Sequence, residues 1–427
     1  NEIGVRLVGS EMCIRDRTVI ARGIWRFHPH HHTFEVVASG MVNPWGADFN
    51  EYGDLFTTNT VTAHLWQIVP GMICQGRAAE EQHPFAYARI QSIADHLHWG
   101  GGVWQSSRQH EERHSVAGGG HAHCGAMIYL GDNWPVKYRG TLLTNNLHGN
   151  RVNNYRLVPH RSPYVGVHAD DPLHANDAWF RGLSIKYGPD GGVYISDWHD
   201  LGECHDSDGS HRSSGRIFKV VYGTPAPRPV NLRTASDRQL ADLHLHPNAW
   251  FVRHARRILQ ERALAGAPLL AARQRLRGIL DESEDEPQRL RAFWTLFVMQ
   301  EFTEPELVRF LQHPSLHVRR WAIRFLVDRS VPGRTALDAL VRLASHEDSA
   351  KVRLALAAAL QKIPVEPRWE IASSLARHPE DAADSYLPLM IWYGINPAVG
   401  NDRACLLYTS DAADEGLGVD LGGRRII

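Results

Sequence analysis

The feature that most limits what this chain can become is a repeat in its first half, where a glycine followed by a short apolar strand recurs at long intervals. Gly53-Asp-Leu-Phe-Thr-Thr-Asn59, Gly140-Thr-Leu-Leu-Thr-Asn-Asn146 and Gly191-Gly-Val-Tyr-Ile-Ser-Asp197 share the glycine, an apolar pair and a carbonyl-bearing polar residue six places on. A second strand follows each: His64-Leu-Trp-Gln-Ile68, Arg151-Val-Asn-Asn-Tyr155 and Arg216-Ile-Phe-Lys-Val220. Gly23-Ile-Trp-Arg-Phe27 is a further strand of this kind without its upstream partner. The anchor glycines stand 87 and 51 residues apart, which divides into three steps of about 46. A strand pair repeated at that period stacks equivalent sheets rather than closing a sandwich, so a partial β-propeller of four to five blades is expected.

From Gly223 the pattern changes. Pro225, Pro227 and Pro229 alternate, and Ser236-Asp-Arg-Gln239 has the form of a capping box that opens a helix. His246-Pro-Asn-Ala-Trp-Phe-Val-Arg-His-Ala255, His313-Pro-Ser-Leu-His-Val-Arg-Arg-Trp-Ala322 and His346-Glu-Asp-Ser-Ala-Lys-Val-Arg-Leu-Ala355 then repeat His, Val-Arg and Ala. Val252, Val318 and Val352 lie 66 and 34 apart, and Leu290-Arg-Ala292 fills the intervening unit. Paired helices of this kind stack because neither buries its apolar stripe alone, which predicts HEAT- or armadillo-like repeats. Arg253, Arg319 and Arg353 are expected to pair with carboxylates of the next turn or repeat, and Trp250, Trp294 and Trp321 to belong to the core.

Both ends read differently. Leu7 to Asp16 resembles a translated sequencing adapter and Cys405 to Glu415 its reverse complement, with Gly418 to Ile427 continuing it. The expected organisation is therefore adapter-derived text over 1–17 and 405–427, a propeller portion over 18–222, a Pro-rich linker over 223–236 and helical repeats over 237–404. Missing blades are expected upstream of Thr18. With 43% hydrophobic residues, 22% charged residues and a net charge of -1, nothing invites nucleic acid. No apolar run reaches the roughly 20 residues that span a bilayer. Setting aside Cys13 and Cys405 leaves Cys74, Cys124 and Cys204, too few to define a disulfide framework.

Thirteen histidines fall between His96 and His211, which makes this stretch the candidate site. In Asp95-His-Leu-His98 and His121-Ala-His-Cys124 the histidines are two apart, so in extended backbone each pair shares a face and can chelate a divalent ion. The candidate ligands are His96, His98, His121, His123, Cys124, His148, Asp200, Cys204 and His205, with Asp197 a further carboxylate nearby. Against this stands the reading that these groups only tie loops together. His30-His31-His32 reads as an exposed turn and Cys74 as an isolated thiol. Asn59, Asn146 and Asp197 hold one offset in three repeats. They either converge on a shared axis, where calcium or sugar hydroxyls suit them, or each caps its own strand.

Four strings resemble one family: Gly118-Gly-Gly-His-Ala-His-Cys-Gly-Ala126, Asn145-Asn-Leu-His-Gly-Asn-Arg-Val152, Trp179-Phe-Arg-Gly-Leu183 and Tyr187-Gly-Pro-Asp-Gly-Gly-Val-Tyr-Ile-Ser-Asp-Trp198. They are similar to the proteins classed as membrane-bound dehydrogenases in planctomycete and verrucomicrobial bacteria, a likeness that runs from about Gly23 through the helical repeats. The resemblance implies a quinoprotein sugar dehydrogenase-like propeller, HEAT repeats and a C-terminal c-type haem domain. It further implies oxidation of a carbohydrate-like substrate, in the periplasm or at the cell surface, with pyrroloquinoline quinone a candidate cofactor and a haem domain or cytochrome taking the electrons. The chain departs from the pattern in one place, since it contains no Cys-x-x-Cys-His. On this reading His121 or His123 is the base that takes a hydroxyl proton, and Arg151 or Arg181 holds an anionic cofactor or substrate. The rival reading is a non-catalytic module, a glycan- or protein-binding propeller with a protein partner on the HEAT repeats. A third is a structural calcium protein.

Overall fold

The computed structural model describes residues 22–61, 63–76, 86–103, 106, 112–198, 201–202, 213–225 and 229–399. Its first half consists of four small sheets. In the first, β1 (Gly23–His28) and β2 (Thr33–Ser39) form a hairpin; the second contains β3 (Pro44–Phe49), β4 (Leu55–Asn59) and β5 (Leu65–Ile68). The short β6 (Met72–Ile73) returns to pair in parallel with β2. After helix α1 (Glu112–Ala117) the third sheet comprises β7 (His123–Ile128), β8 (Leu142–Asn146), β9 (Arg151–Pro159) and β10 (Tyr164–His174). The fourth holds β11 (Gly182–Tyr187), β12 (Val193–Asp197) and β13 (Arg216–Val220). The repeat noted in the sequence is thus the second strand of three successive antiparallel meanders. Among the described residues the sheets do not close into a ring.

The anchor glycines recur for a backbone reason. Gly53, Gly140 and Gly191 have φ of 77°, 79° and 71°, the left-handed region that an L side chain enters only at a cost. Each makes the turn between the first and second strand of its sheet. The first strands carry a matching irregularity, a register shift between Pro44 and Ala47, between Cys124 and Met127, and between Gly182 and Ile185. These strands lie side by side: a Cβ on Gly46 would come within 2.4 Å of Ala126 N, and one on Gly125 within 2.4 Å of Leu183 O.

The second half is helical. After α2 (Asp237–Asp242), which Ser236 and Gln239 open with a reciprocal capping box, come α3 (Ala249–Leu264), α4 (Leu270–Glu282), α5 (Glu286–Val298) and α6 (Glu304–Phe310). α7 (Leu316–Arg329), α8 (Arg334–Ala344), α9 (Ala350–Ala359), α10 (Val365–Ala376) and α11 (Leu387–Ile395) complete the stack. Val252, Val318 and Val352 are buried, as the repeat requires. Arg319 pairs with Glu347 at 2.7 Å and Arg353 with Asp381 at 2.6 Å, each 28 residues on in the next unit. Arg253 instead reaches across to Asp48 of β3 at 2.8 Å. No helix among the described residues is long and apolar enough to cross a membrane.

Helices and sheets are docked over a wide front. Arg320 of α7 holds Asp54 through two contacts of 2.6 and 3.1 Å, both side chains buried, and also donates to Tyr52 O. Trp321 Nε1 donates to the same carbonyl at 2.9 Å. Ser162 and Asp384 bond at 2.8 Å, and the Tyr386 hydroxyl donates to Gln67 O at 3.0 Å. Trp250, Trp294 and Trp321 are partly buried and packed against the apolar core.

Candidate metal centre

Five imidazoles and a phenol converge at one end of the third sheet. His123 opens β7; Asn153 and Tyr155 alternate on one face of β9; His168 and Asp171 come from β10. His64 immediately precedes β5, and the segment carrying His96 and His98 is tied beside β10 by an Ala94–Gly166 bridge. His96 and His98 come together although the segment that carries them bends instead of running as a strand: their rings lie 4.8 Å apart, with His98 4.8 Å from His123 and 4.7 Å from His64. Ring nitrogens of His64, His98 and His123 all lie within 4.8 Å of one another, and so do those of His96, His98 and His168.

The hydrogen-bond network fixes the protons. Asn153 Nδ2 donates to Gly118 O at 2.9 Å and Asp171 Oδ2 at 3.0 Å, so Asn153 Oδ1 is the atom that faces His98 Nδ1 at 3.1 Å. An amide oxygen only accepts, hence His98 carries its proton on Nδ1 and turns the lone pair of Nε2 to the Tyr155 hydroxyl, 2.6 Å away. The phenol spends its one hydrogen there, and His64 Nε2, also 2.6 Å from that oxygen, donates to it. His123 Nε2 crowds the His98 Nδ1 proton at 2.9 Å. A neutral His123 that turns its Nε2 lone pair to that proton carries its own hydrogen on Nδ1, beside the backbone of His121.

Electrostatics bear on what the cluster can hold. Burial, reinforced by the neighbouring imidazoles, pushes His64 and His98 well below the ordinary histidine range. Burial also takes His123 down to about 3. All three are neutral near pH 7, so a metal meets no imidazolium there, but it has to replace the hydrogen bonds that the ring lone pairs accept, that of Tyr155 to His98 Nε2 among them. The cavity bounded by His64, His98, His121 and His123 is only about 10 Å³. That is roughly the room for one water or one ion.

The other expected site residues fall elsewhere. His121 stacks edge-on with His148 at 4.6 Å, beside the cavity but outside both groups of three. Cys124 faces away from His123, because neighbours on a strand point to opposite sides, and it packs with Ala122 and Leu147 rather than with the imidazoles. Asp200, Cys204 and His205 lie outside the described residues. Arg151 spends its guanidinium on Gly149 O, Ser115 O and Ser115 Oγ and stands 3.6 Å from Asp171. Arg181 bonds Phe180 O and Leu201 O. Asn59, Asn146 and Asp197 occupy matching positions, but each locks its own sheet instead of presenting a shared ligand shell. Asn59 accepts from Asn43 N at 2.7 Å, Asn146 donates to Gly120 O at 3.1 Å, and Asp197 accepts from Arg181 N at 2.6 Å. In all three cases the partner precedes the first strand of the same sheet. His64, His168 and Tyr155 were not singled out in the sequence, where His64 and Tyr155 stand at the ends of repeated strand strings and His168 is one histidine among the thirteen of the candidate stretch.

A quinone does not fit this place. The cavity is far too small for a fused ring system.

Residues 6–222 match a family described as a domain of unknown function, DUF7133, and residues 273–361 match HEAT repeats. No curated protein matches the chain. One similar solved structure is from Thermus thermophilus, a protein whose assignment as an oxidoreductase (glucose dehydrogenase) is itself provisional. The identity is 18% over 43% of this chain and 46% of that one, with a TM-score of 0.29. The chain thus covers less than half of that structure. An engineered protein is 17% identical over 43% of this chain and 95% of its own, with a TM-score of 0.25.

Proposed function

The chain belongs to the DUF7133 family, and from the imidazole cluster in that domain we propose that it is a transition-metal protein of dehydrogenase-like kind, carried on a partial β-propeller of four to five blades. The observation that carries the metal is the convergence of His64, His98 and His123, their ring nitrogens all within 4.8 Å of one another, around a one-ion cavity. Three neutral imidazoles suit zinc, copper, iron or nickel, whereas calcium prefers oxygen donors. The propeller reading rests on the side-by-side first strands β3, β7 and β11 and on the equivalent turns at Gly53, Gly140 and Gly191.

The dehydrogenase reading rests on the four strings that resemble the membrane-bound dehydrogenases. On it the substrate is a carbohydrate-like alcohol and the compartment periplasmic or cell-surface. His64, His98 and His123 hold the ion, which supplies Lewis acidity or one-electron chemistry when bound. His121, at the cavity edge against His148, takes the hydroxyl proton. Oxidising an alcohol to a carbonyl releases two electrons as well as two protons. The electron acceptor is a partner, a c-type haem domain or cytochrome, and the HEAT repeats are the surface for a protein partner.

One observation favours the non-catalytic alternative: the cavity admits an ion but no sugar. In that case the ion clasps strands of two sheets to the 95–99 segment, and the propeller mouth or the HEAT surface binds a glycan or protein. The two readings separate in one experiment. The full chain, chelator-stripped and reloaded with zinc, copper or iron, retains the ion through gel filtration, and His98→Ala/His123→Ala does not. Sugar-dependent reduction of an artificial electron acceptor that disappears in His121→Ala supports the enzyme; tight metal without turnover supports the clasp. Equal metal retention by wild type and the double variant contradicts the centre itself.

A further inference from the structure

A second site lies where the sheets meet the helices, and none of its residues belongs to the imidazole cluster. It is a cleft of about 390 Å³, within the range of small-molecule pockets. Its floor is apolar, formed by Leu130, Val252, Phe297 and Val298. The indoles of Trp294 and Trp321 form a wall, their rings 5.4 Å apart and nearly perpendicular. Gly53 closes one side because only a hydrogen fits there: a Cβ would meet Trp321 Cζ2 at 2.4 Å.

The charges in this cleft do not balance. Arg253 is neutralised by Asp48 at 2.8 Å, and Asp328 by Arg26. Arg291 donates to the carbonyls of His244 and His246 and has no carboxylate within ion-pair distance among the described residues. Arg256 is held over the face of Trp294, 5.0 Å from the ring centroid, and donates through Nε to Thr295 Oγ1 at 3.2 Å. No carboxylate pairs with its guanidinium among the described residues. Glu51 lines the same cleft, so two uncompensated cations face one carboxylate. Desolvation and the neighbouring arginines act in the same direction, taking Arg256 down to about 9. A guanidinium in an apolar cleft without its anion is costly, and an anion supplied from outside recovers that cost.

We propose that this cleft binds a small organic monocarboxylate with an apolar or aromatic body, its carboxylate on Arg256 and its body against Trp294, Trp321 and the apolar floor. One negative charge completes the balance, and Arg256 offers the paired donors that carboxylates accept. The site is independent of the metal centre and is tested on chelator-stripped protein, so that coordination to an ion cannot mimic it. The probes are 4-fluorophenylacetate and its neutral amide, followed by fluorine NMR. The acid is expected to bind about ten-fold more tightly than the amide, the margin of one charge-assisted hydrogen bond. Arg256→Gln is expected to erase that preference and Arg256→Lys to keep part of it. Trp294→Leu is expected to weaken both probes alike, which keeps the test informative should Arg256→Gln unfold in a thermal melt. Equal affinity for acid and amide, an unchanged preference in Arg256→Gln, or no binding of either probe at millimolar concentration would overturn the proposal.

Discussion

His244 shows how a histidine in this chain serves structure rather than ligation. It is buried, its Nδ1 sits 3.1 Å from the carbonyls of Leu240 and Ala241, and its Nε2 lies 2.7 Å from Thr295 Oγ1. Burial, with Arg256 close by, takes it down to about 3. The unfolded chain therefore takes up a proton near pH 6.5 that the folded chain refuses. The stability from His244 is full above that pH and is lost as pH falls toward 3. At pH 5 the loss is about 2 kcal/mol. Urea unfolding of metal-free protein at pH 7 and pH 5 checks this, because His244→Gln should lower the acid sensitivity by that amount. An unchanged difference between the two pH values would show that His244 is not held neutral. Spacing does not separate His244 from His98, since each stands two residues from another histidine, and only the fold decides that one meets carbonyls and the other meets imidazoles.

At the scale of the strand and turn, much was legible and one step was not. The anchor glycines stood out because a positive φ leaves few alternatives, so the requirement is written into residue identity. The strands followed from them. The two-apart histidines were legible as a pair, and His96 and His98 do lie together, but on a bent segment where strand alternation does not apply. On β7 that alternation does apply, and it sends Cys124 to the opposite side of the strand, which is why it is no ligand. The partners of Asn59, Asn146 and Asp197 were not legible: whether an amide at a strand end faces an axis or its own sheet depends on how first and second strands pair. The turns yield a graded prediction. Gly140 has open space around its Cβ position, so Gly140→Ala should cost only the backbone strain, about 1 kcal/mol. Gly53→Ala adds the collision with Trp321 and should cost about 1–3 kcal/mol more. Equal losses in urea unfolding would mean that the indole does not press on that turn.

Across the whole molecule, the sequence announced two repeat architectures but not that they would be fused through buried charge. Asp54 and Arg320 are 266 residues apart and both buried, and the guanidinium holds that carboxyl far below its usual range despite the cost of burial. Taking two charges out of water offsets much of what their attraction gains, so a pair of this depth is weak evidence for stability, while removing one partner alone would leave a buried charge uncompensated. Long-range assembly also gathers the imidazoles. Those proposed to hold the ion, His64, His98 and His123, come from two sheets and an irregular segment, and no local spacing announces such a set. The central claim is that this assembly holds an ion by imidazole nitrogen. X-ray absorption at the metal edge of the loaded full chain tests it most directly. The account predicts a first shell of at least three nitrogen scatterers with the outer-shell signature of imidazole, weakened in His98→Ala. An all-oxygen shell, or a spectrum indifferent to that substitution, would contradict it.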